Sequence, residues 1–202
     1  VLYYERKFKK KGYTTIVGVD EVGRGCLAGP VVAGAVVLKS TSFVHRIDDS
    51  KKLTSLQRER AFFEIIEKSF FGIGIINEQI IDRVNILQAT CLAMEQAVSA
   101  LLFKLKGCDA ANTCLLVDGN VRFHSQLPLV NIIAGDSKSK SIACASILAK
   151  VIRDRIMRVY DQVFPVYGFL AHKGYGTAGH RRALKKFGPS LIHRASFHGV
   201  VS

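Results

Sequence analysis

No C-x-x-C pair occurs in this sequence. Its five cysteines, at positions 26, 91, 108, 114 and 144, are odd in number and share no metal-binding spacing, which sets aside a zinc ribbon and a disulfide framework. Buried, reduced thiols are the expected alternative. Long hydrophobic runs are missing as well. The longest stretch without a charge, Cys26 to Leu38, is broken by Gly29, Pro30 and Gly34. It also falls short of the roughly 18–20 residues that a membrane helix needs. The basic residues Arg6, Lys7, Lys9, Lys10 and Lys11 look like the start of a secretory signal, but Asp20 and Glu21 interrupt any apolar core behind them. A soluble, cytoplasmic monomer without a membrane partner is expected. Low-complexity tracts, internal repeats and interdomain linkers are absent, and 49% of the 202 residues are hydrophobic, enough to fill one sizeable core.

Several catalytic signatures are missing too. Gly23 to Pro30 lacks the terminal G-K-[ST] of a phosphate-binding loop, and no nucleophile elbow is visible. The six histidines offer no H-x-x-x-H pair, and His124 shows no partner. Acidic residues are scarce, 16 against 29 lysines and arginines, for a net charge of +13. That balance suits a polyanionic substrate, but a merely soluble basic protein has it equally. The motifs decide between them.

The chain is organised around Ile16 to Gly25. Ile16, Val17 and Val19 read as a strand entering a core, yet the strand delivers two adjacent carboxylates, Asp20 and Glu21. Acids are rarely buried unless paired or metal-bound. Gly23, Arg24 and Gly25 follow, a bare cationic turn that can approach a ligand closely. Further strands are predicted at Val31 to Leu38, Phe70 to Ile76, Cys114 to Val117 and Pro128 to Ala134. The fourth ends on Asp118-Gly119-Asn120 and the fifth on Gly135-Asp136. Thr54 and Gln57 form a capping box for a helix from about Ser55. Asn85 opens a helix whose stripe runs Leu87, Cys91, Met94, Val98, Leu101 and Leu105 until Gly107, and a long helix follows Ser139. From Phe164 basic and aromatic residues interleave, as in backbone-tracking segments, and Pro189 to His198 is read as a last short helix.

Asp20, Glu21, Asp118 and Asp136 thus come from three strand ends. In one cleft they need cations, and oxygen-only ligands favour Mg²⁺ or Mn²⁺ in a two-metal site that cleaves a phosphodiester. One difficulty is geometric. Residues 20 and 21 point to opposite strand faces, so either the strand bulges at Glu21 or Glu21 contributes differently from Asp20.

In order, Gly18-Val19-Asp20-Glu21-Val22-Gly23-Arg24-Gly25, Leu27-Ala28-Gly29-Pro30, Asp49-Ser50-Lys51-Lys52-Leu53, Val117-Asp118-Gly119-Asn120 and Gly135-Asp136-Ser137 resemble type 2 ribonuclease H. So do Ser141 to Val151 with Arg153-Asp154, Tyr167-Gly168-Phe169, and His172-Lys173-Gly174-Tyr175. The resemblance spans nearly the whole chain. It implies an α/β, ribonuclease H-like fold: a five-stranded mixed sheet, its first three strands antiparallel, flanked by helices. It implies a catalytic domain over 1–163, with 164–202 a small helical C-terminal substrate-binding segment of the same compact unit. It implies metal ligation and catalysis by Asp20, Glu21, Asp118 and Asp136, and ribose 2′-hydroxyl recognition by Gly23, Arg24, Gly25 and Tyr175, with Lys51 and Lys173 also contacting substrate. The implied substrates are RNA–DNA hybrids and DNA duplexes holding single ribonucleotides, nicked 5′ of the ribonucleotide in repair or primer removal. Two alternatives stand beside this reading: a general hybrid nuclease without junction preference, and a non-catalytic nucleic-acid-binding module.

Overall fold

The computed structural model describes residues 2–105 and 109–200. β1 (Thr15–Val22), β2 (Val31–Leu38) and β3 (Ser69–Ile76) form an antiparallel meander. β4 (Thr113–Asp118) pairs parallel to β1, and β5 (Leu129–Ile132) parallel to β4, giving the five-stranded order β3-β2-β1-β4-β5. The mixed sheet that the resemblance implies is therefore present. The carboxyl ends of β1, β4 and β5 lie side by side, where open α/β sheets hold their ligands.

Helices cover both faces: α1 (Tyr3–Lys9), α2 (Ser55–Lys68), α3 (Glu78–Val84), α4 (Ile86–Lys104) and α5 (Lys140–Val163). Strand alternation divides the core. Val17 and Val19 pack with Met94, Ala97 and Leu101 of α4, whereas Ile16 packs with Ile142, and Val36 with Ile147 and Leu148, all of α5. At Gly18 a Cβ would lie 2.2 Å from the Ser141 carbonyl carbon, so α5 rests directly on β1. That close seating brings the middle of α5 over the end of β1.

The capping box is formed: the Thr54 hydroxyl accepts from Gln57 N and the Gln57 side chain accepts from Thr54 N, an arrangement worth about 1 kcal/mol. Asn85 caps α4 through Leu87 N and Gln88 N. By length and hydropathy α4 could cross a membrane, but its stripe of Cys91, Met94, Val98 and Leu101 is buried against the sheet. Leu87, the first residue of the expected stripe, is 48% exposed. The expected stop at Gly107 lies outside the described residues; α4 ends at Lys104.

Three readings need correction. The fifth strand is shorter than Pro128 to Ala134, because Ala134 turns left-handed (φ +54°) and places Asp136 in a 3₁₀ turn, Gly135–Ser137. α3, opened by the Asn77 side chain accepting from Ile80 N, was not expected. No helix forms over 189–198, because that backbone pairs elsewhere. Gly29 N donates to Ile192 O and Arg194 N to Leu27 O, both at 2.9 Å, across an antiparallel bridge between Ala28 and His193. The C-terminal segment also contributes α6 (Phe169–His172) and α7 (Ala178–Phe187). Its apolar residues Tyr167, Phe169, Leu184 and Ile192 gather on Leu27, Ala28 and Met157. The glycine-rich loop is thereby enclosed between sheet and C-terminal segment.

Candidate active site

Asp20 sits opposite Gly34 in regular pairing that continues through Glu21–Ala33 and Val22–Val32. The strand does not bulge, so Glu21 differs from Asp20. Asp20 is 5% exposed and faces α5, where the Ser146 hydroxyl contacts it. Burial, then Glu21 and Asp118, raise its carboxyl well above the ordinary range. Glu21 points to the opposite face and pairs with Arg24, Oε1 to Nη1 at 3.2 Å. Burial raises its carboxyl too, although Arg24 opposes the shift.

Asp118 ends β4, one residue past the Val19–Val117 pair, and its Oδ1 accepts from Gly135 N at 2.6 Å. Asp136 follows in its turn, 6% exposed, its carboxyl raised by burial and by the charges of Asp118 and Asp49. Among the described residues, no three such groups stand poised around a single ion. Three are instead turned to local donors, Asp20 Oδ1 to Glu21 N at 2.7 Å, Glu21 Oε1 to Arg24 and Asp118 Oδ1 to Gly135 N, while Asp136 faces the Asp49 carboxyl. The donor set is nevertheless all oxygen, with Asp20 and Asp136 buried, and burial first, then neighbouring acids, raise the carboxyls of Asp20, Glu21 and Asp136. That chemistry fits hard divalent cations.

Lys51 lies in the 3₁₀ turn Ser50–Lys52, capped by Asp49. Burial works against its charge, yet Asp49, Asp136, Asp20 and Asp118 together raise its ammonium above the ordinary value. It is the cation that the acidic cluster attracts.

The glycine turn and Tyr175 meet beside these acids. Leu27 N donates to Gly174 O at 2.8 Å, and Cys26 bridges Tyr175, so Tyr175 stands next to Gly23-Arg24-Gly25 with 42% of its surface exposed. Gly23 has φ +98°, and a Cβ there would fall 2.3 Å from Arg153 Nε. At Gly25 a Cβ would meet nothing within 4 Å, so its bareness leaves backbone open to an approaching ligand. Lys173 adjoins Tyr175, but its ammonium bonds the Leu170 carbonyl and burial lowers its pKa.

A family model described as ribonuclease HII matches residues 17–200. The chain belongs to the ribonuclease HII family. A ribonuclease HII of Syntrophotalea carbinolica is 47% identical over 200 residues, covering 98% of this chain and 92% of that protein. Another, of Ruminiclostridium cellulolyticum, is 51% identical over 198 residues, covering 98% and 75%. In structure the chain is similar to Archaeoglobus fulgidus ribonuclease HII in its complex with PCNA (TM-score 0.73, 23% identity, covering 91% and 95%). It is also similar to Bst ribonuclease HIII in complex with Mn²⁺ (TM-score 0.71, 15% identity, covering 96% and 70%). As a ribonuclease HII the chain is an endonuclease, a hydrolase of the phosphodiester backbone.

Sequence reasoning missed three contributors to this ribonuclease HII site. Asp49 acts on both Asp136 and Lys51; its signal was the pairing of acids and lysines at 48–52. Arg153 and Arg194 are fully buried and spend their donors on main-chain carbonyls. Arg153 donates to Pro30 O, Ala28 O and Lys173 O at 2.8–3.0 Å. Arg194 donates to Gly23 O, Arg24 O and Gly29 O at 2.7–3.0 Å. Burial and Arg153 lower the Arg194 guanidinium to about 10, which leaves it charged at neutral pH. The two arginines tie the glycine turn to the Tyr175 loop.

Proposed function

We propose that Asp20, Glu21, Asp118 and Asp136 hold two Mg²⁺ or Mn²⁺ ions, and that this centre cleaves the RNA strand of RNA–DNA duplexes. It prefers the 5′ side of a single ribonucleotide embedded in DNA, leaving a 3′-hydroxyl and a 5′-phosphate. One observation carries the reading: three carboxyls raised by burial and mutual repulsion adjoin an open backbone turn and a half-exposed tyrosine. Bound ions would supply an activated water and stabilise the leaving oxygen. The chain's residues do the rest. Asp49 and Lys51 hold the charge balance beside Asp136, and Lys51 offers its ammonium to a backbone phosphate.

Finding one ribonucleotide is a separate problem. A lone 2′-hydroxyl barely changes the charge of a duplex, so phosphate contacts cannot locate it. It lies in the minor groove, where it distinguishes RNA from DNA. Gly23 and Gly25 let backbone approach that groove, Arg24 meets a nearby phosphate, and Tyr175 offers a hydroxyl to the 2′ oxygen and a ring face to the next deoxyribose. Lys173 adds charge beside it.

Tyr175→Ala is therefore expected to lower kcat/KM on a one-ribonucleotide duplex by about 10- to 100-fold, the worth of ~1–3 kcal/mol of stacking. The loss on a uniform hybrid should be much smaller, and Tyr175→Phe, which keeps the ring, milder. Equal losses on both substrates would make the general hybrid nuclease the better reading.

Salt dependence tests the flank. Arg181, Arg182, Lys185 and Lys186 of α7 are exposed on one side of the Tyr175 loop. Substituting Arg181 and Lys185 by alanine should leave the cleavage position unchanged and flatten the log–log salt slope of binding, by about 0.9 for each B-form phosphate that is no longer neutralised. An unchanged slope would place α7 away from the duplex.

A further inference from the structure

Three histidines from separate parts of the C-terminal segment converge beneath Tyr175. His180 is fully buried and His193 is 5% exposed. Their Nε2 atoms are 2.9 Å apart, and His172 stacks on His180 with ring centroids 4.3 Å apart. The two ends of this chain fix its protons. At one end the Ser190 backbone N–H, which can only donate, meets His193 Nδ1 at 2.9 Å, and the Ser190 hydroxyl, 2.8 Å from the same atom, is free to donate as well. His193 Nδ1 is therefore an acceptor, and a neutral ring carries its proton on Nε2. That proton points at His180 Nε2, which must accept it. His180 then carries its own proton on Nδ1, 2.9 Å from the Tyr175 carbonyl, which can only accept.

We propose that His193 and His180 form a neutral imidazole relay in which His180 is a positioning residue, setting the Tyr175 ring against the substrate sugar by holding the Tyr175 carbonyl. The proposal rests on Tyr175 reading the ribose. His172 braces the same loop: its Nε2–H donates to Tyr167 O at 2.8 Å and its Nδ1 accepts from Gly174 N at 3.2 Å. Thr177 N also donates to the Tyr175 carbonyl, so the relay supplies the second of two donors to that oxygen. An added proton is poorly accommodated in the chain. On His180 Nε2 it would set donor against donor, on His193 Nδ1 it would oppose the Ser190 N–H with only the Ser190 hydroxyl to receive it, and His172 and Arg181, the charged or titratable neighbours from α6 and α7, are both bases. Burial acts in the same direction, lowering the pKa of His180 and bringing that of His193 down to about 4.

Two measurements test the relay. In nitrogen NMR of the unmodified protein at neutral pH, His180 should be protonated at Nδ1 and bare at Nε2, and His193 the reverse. The opposite tautomers, or a charged ring in either, would overturn it. The second measurement compares His180→Asn, whose amide reaches the Nδ1 position and can still donate to Tyr175, with His180→Gln, whose amide reaches only toward His193. The readout is the ratio of kcat/KM on a one-ribonucleotide duplex to that on a uniform hybrid, which cancels chemistry common to both. The ratio should fall about tenfold in the Gln variant, as for one lost buried hydrogen bond, and stay within about threefold of the original in the Asn variant, even if both melt at lower temperature. Equal ratios in the two variants would reduce His180 to packing. Tyr175→Ala is measured alongside: if it leaves the ratio unchanged, the tyrosine reading fails, whereas its collapse beside an intact Gln ratio sinks the relay alone.

Discussion

Asp20→Asn, and separately Asp136→Asn, should reduce cleavage by at least about 10²–10³-fold, the scale at which single charge-stabilising groups are felt, while duplex binding is kept or tightened. Removing a buried carboxylate lowers repulsion toward phosphate. The effect on stability has the opposite sign to the effect on activity. Burial and neighbouring acids raise both carboxyls in the folded state, so the native protein binds more protons than the unfolded chain once pH rises above the ordinary carboxyl range. Stability is lost as pH climbs through that window, and the charged forms weaken the fold at neutral pH. Without added metal, the Asn variants should melt higher than the original at pH 7, with the advantage vanishing near pH 3. Added Mg²⁺ or Mn²⁺ should raise the melting temperature of the original more than that of either variant. Near-normal turnover in either variant would refute the metal assignment.

Arg194→Ala is expected to be the most damaging single change for stability. The guanidinium is fully buried and satisfies the carbonyls of Gly23, Arg24 and Gly29. At about 1–3 kcal/mol for each carbonyl left without a donor, the loss is several kcal/mol against a total of about 5–15. Arg194→Lys should recover little, because one ammonium cannot reproduce a planar fork spread over three carbonyls. Whatever fraction folds should bind duplex yet lose its preference for a lone ribonucleotide, since the Gly23–Gly25 turn is what the arginine holds. Chemical denaturation measures the first effect and paired cleavage assays the second. A variant with unchanged midpoint would mean that solvent satisfies those carbonyls.

The two arginines show where sequence reading stops. Asp20, Asp118 and Asp136 were legible because each breaks an apolar strand where packing would have continued it. Arg153 and Arg194 break no pattern: their partners are carbonyls up to 171 residues away, and a carbonyl is the same in every residue. The relay histidines are hidden for the same reason, since Tyr175 O and Ser190 N carry no side-chain signature. Local propensity misled at 189–198, where the glycine-rich loop offers main-chain partners that a helix would have refused. It also stretched β5, because nothing in the sequence announces the left-handed turn at Ala134 that moves Asp136 off the strand. The five-stranded mixed sheet with its first three strands antiparallel, by contrast, followed from the resemblance.

Mapping the cleavage of a duplex that holds one ribonucleotide, at nucleotide resolution and across a Mg²⁺ or Mn²⁺ titration, tests the central claim most directly. No cut is expected without metal, and with it a single nick on the 5′ side of the ribonucleotide, leaving a 3′-hydroxyl and a 5′-phosphate. Binding without cleavage at any metal concentration, or cuts placed without regard to the ribonucleotide, would contradict it.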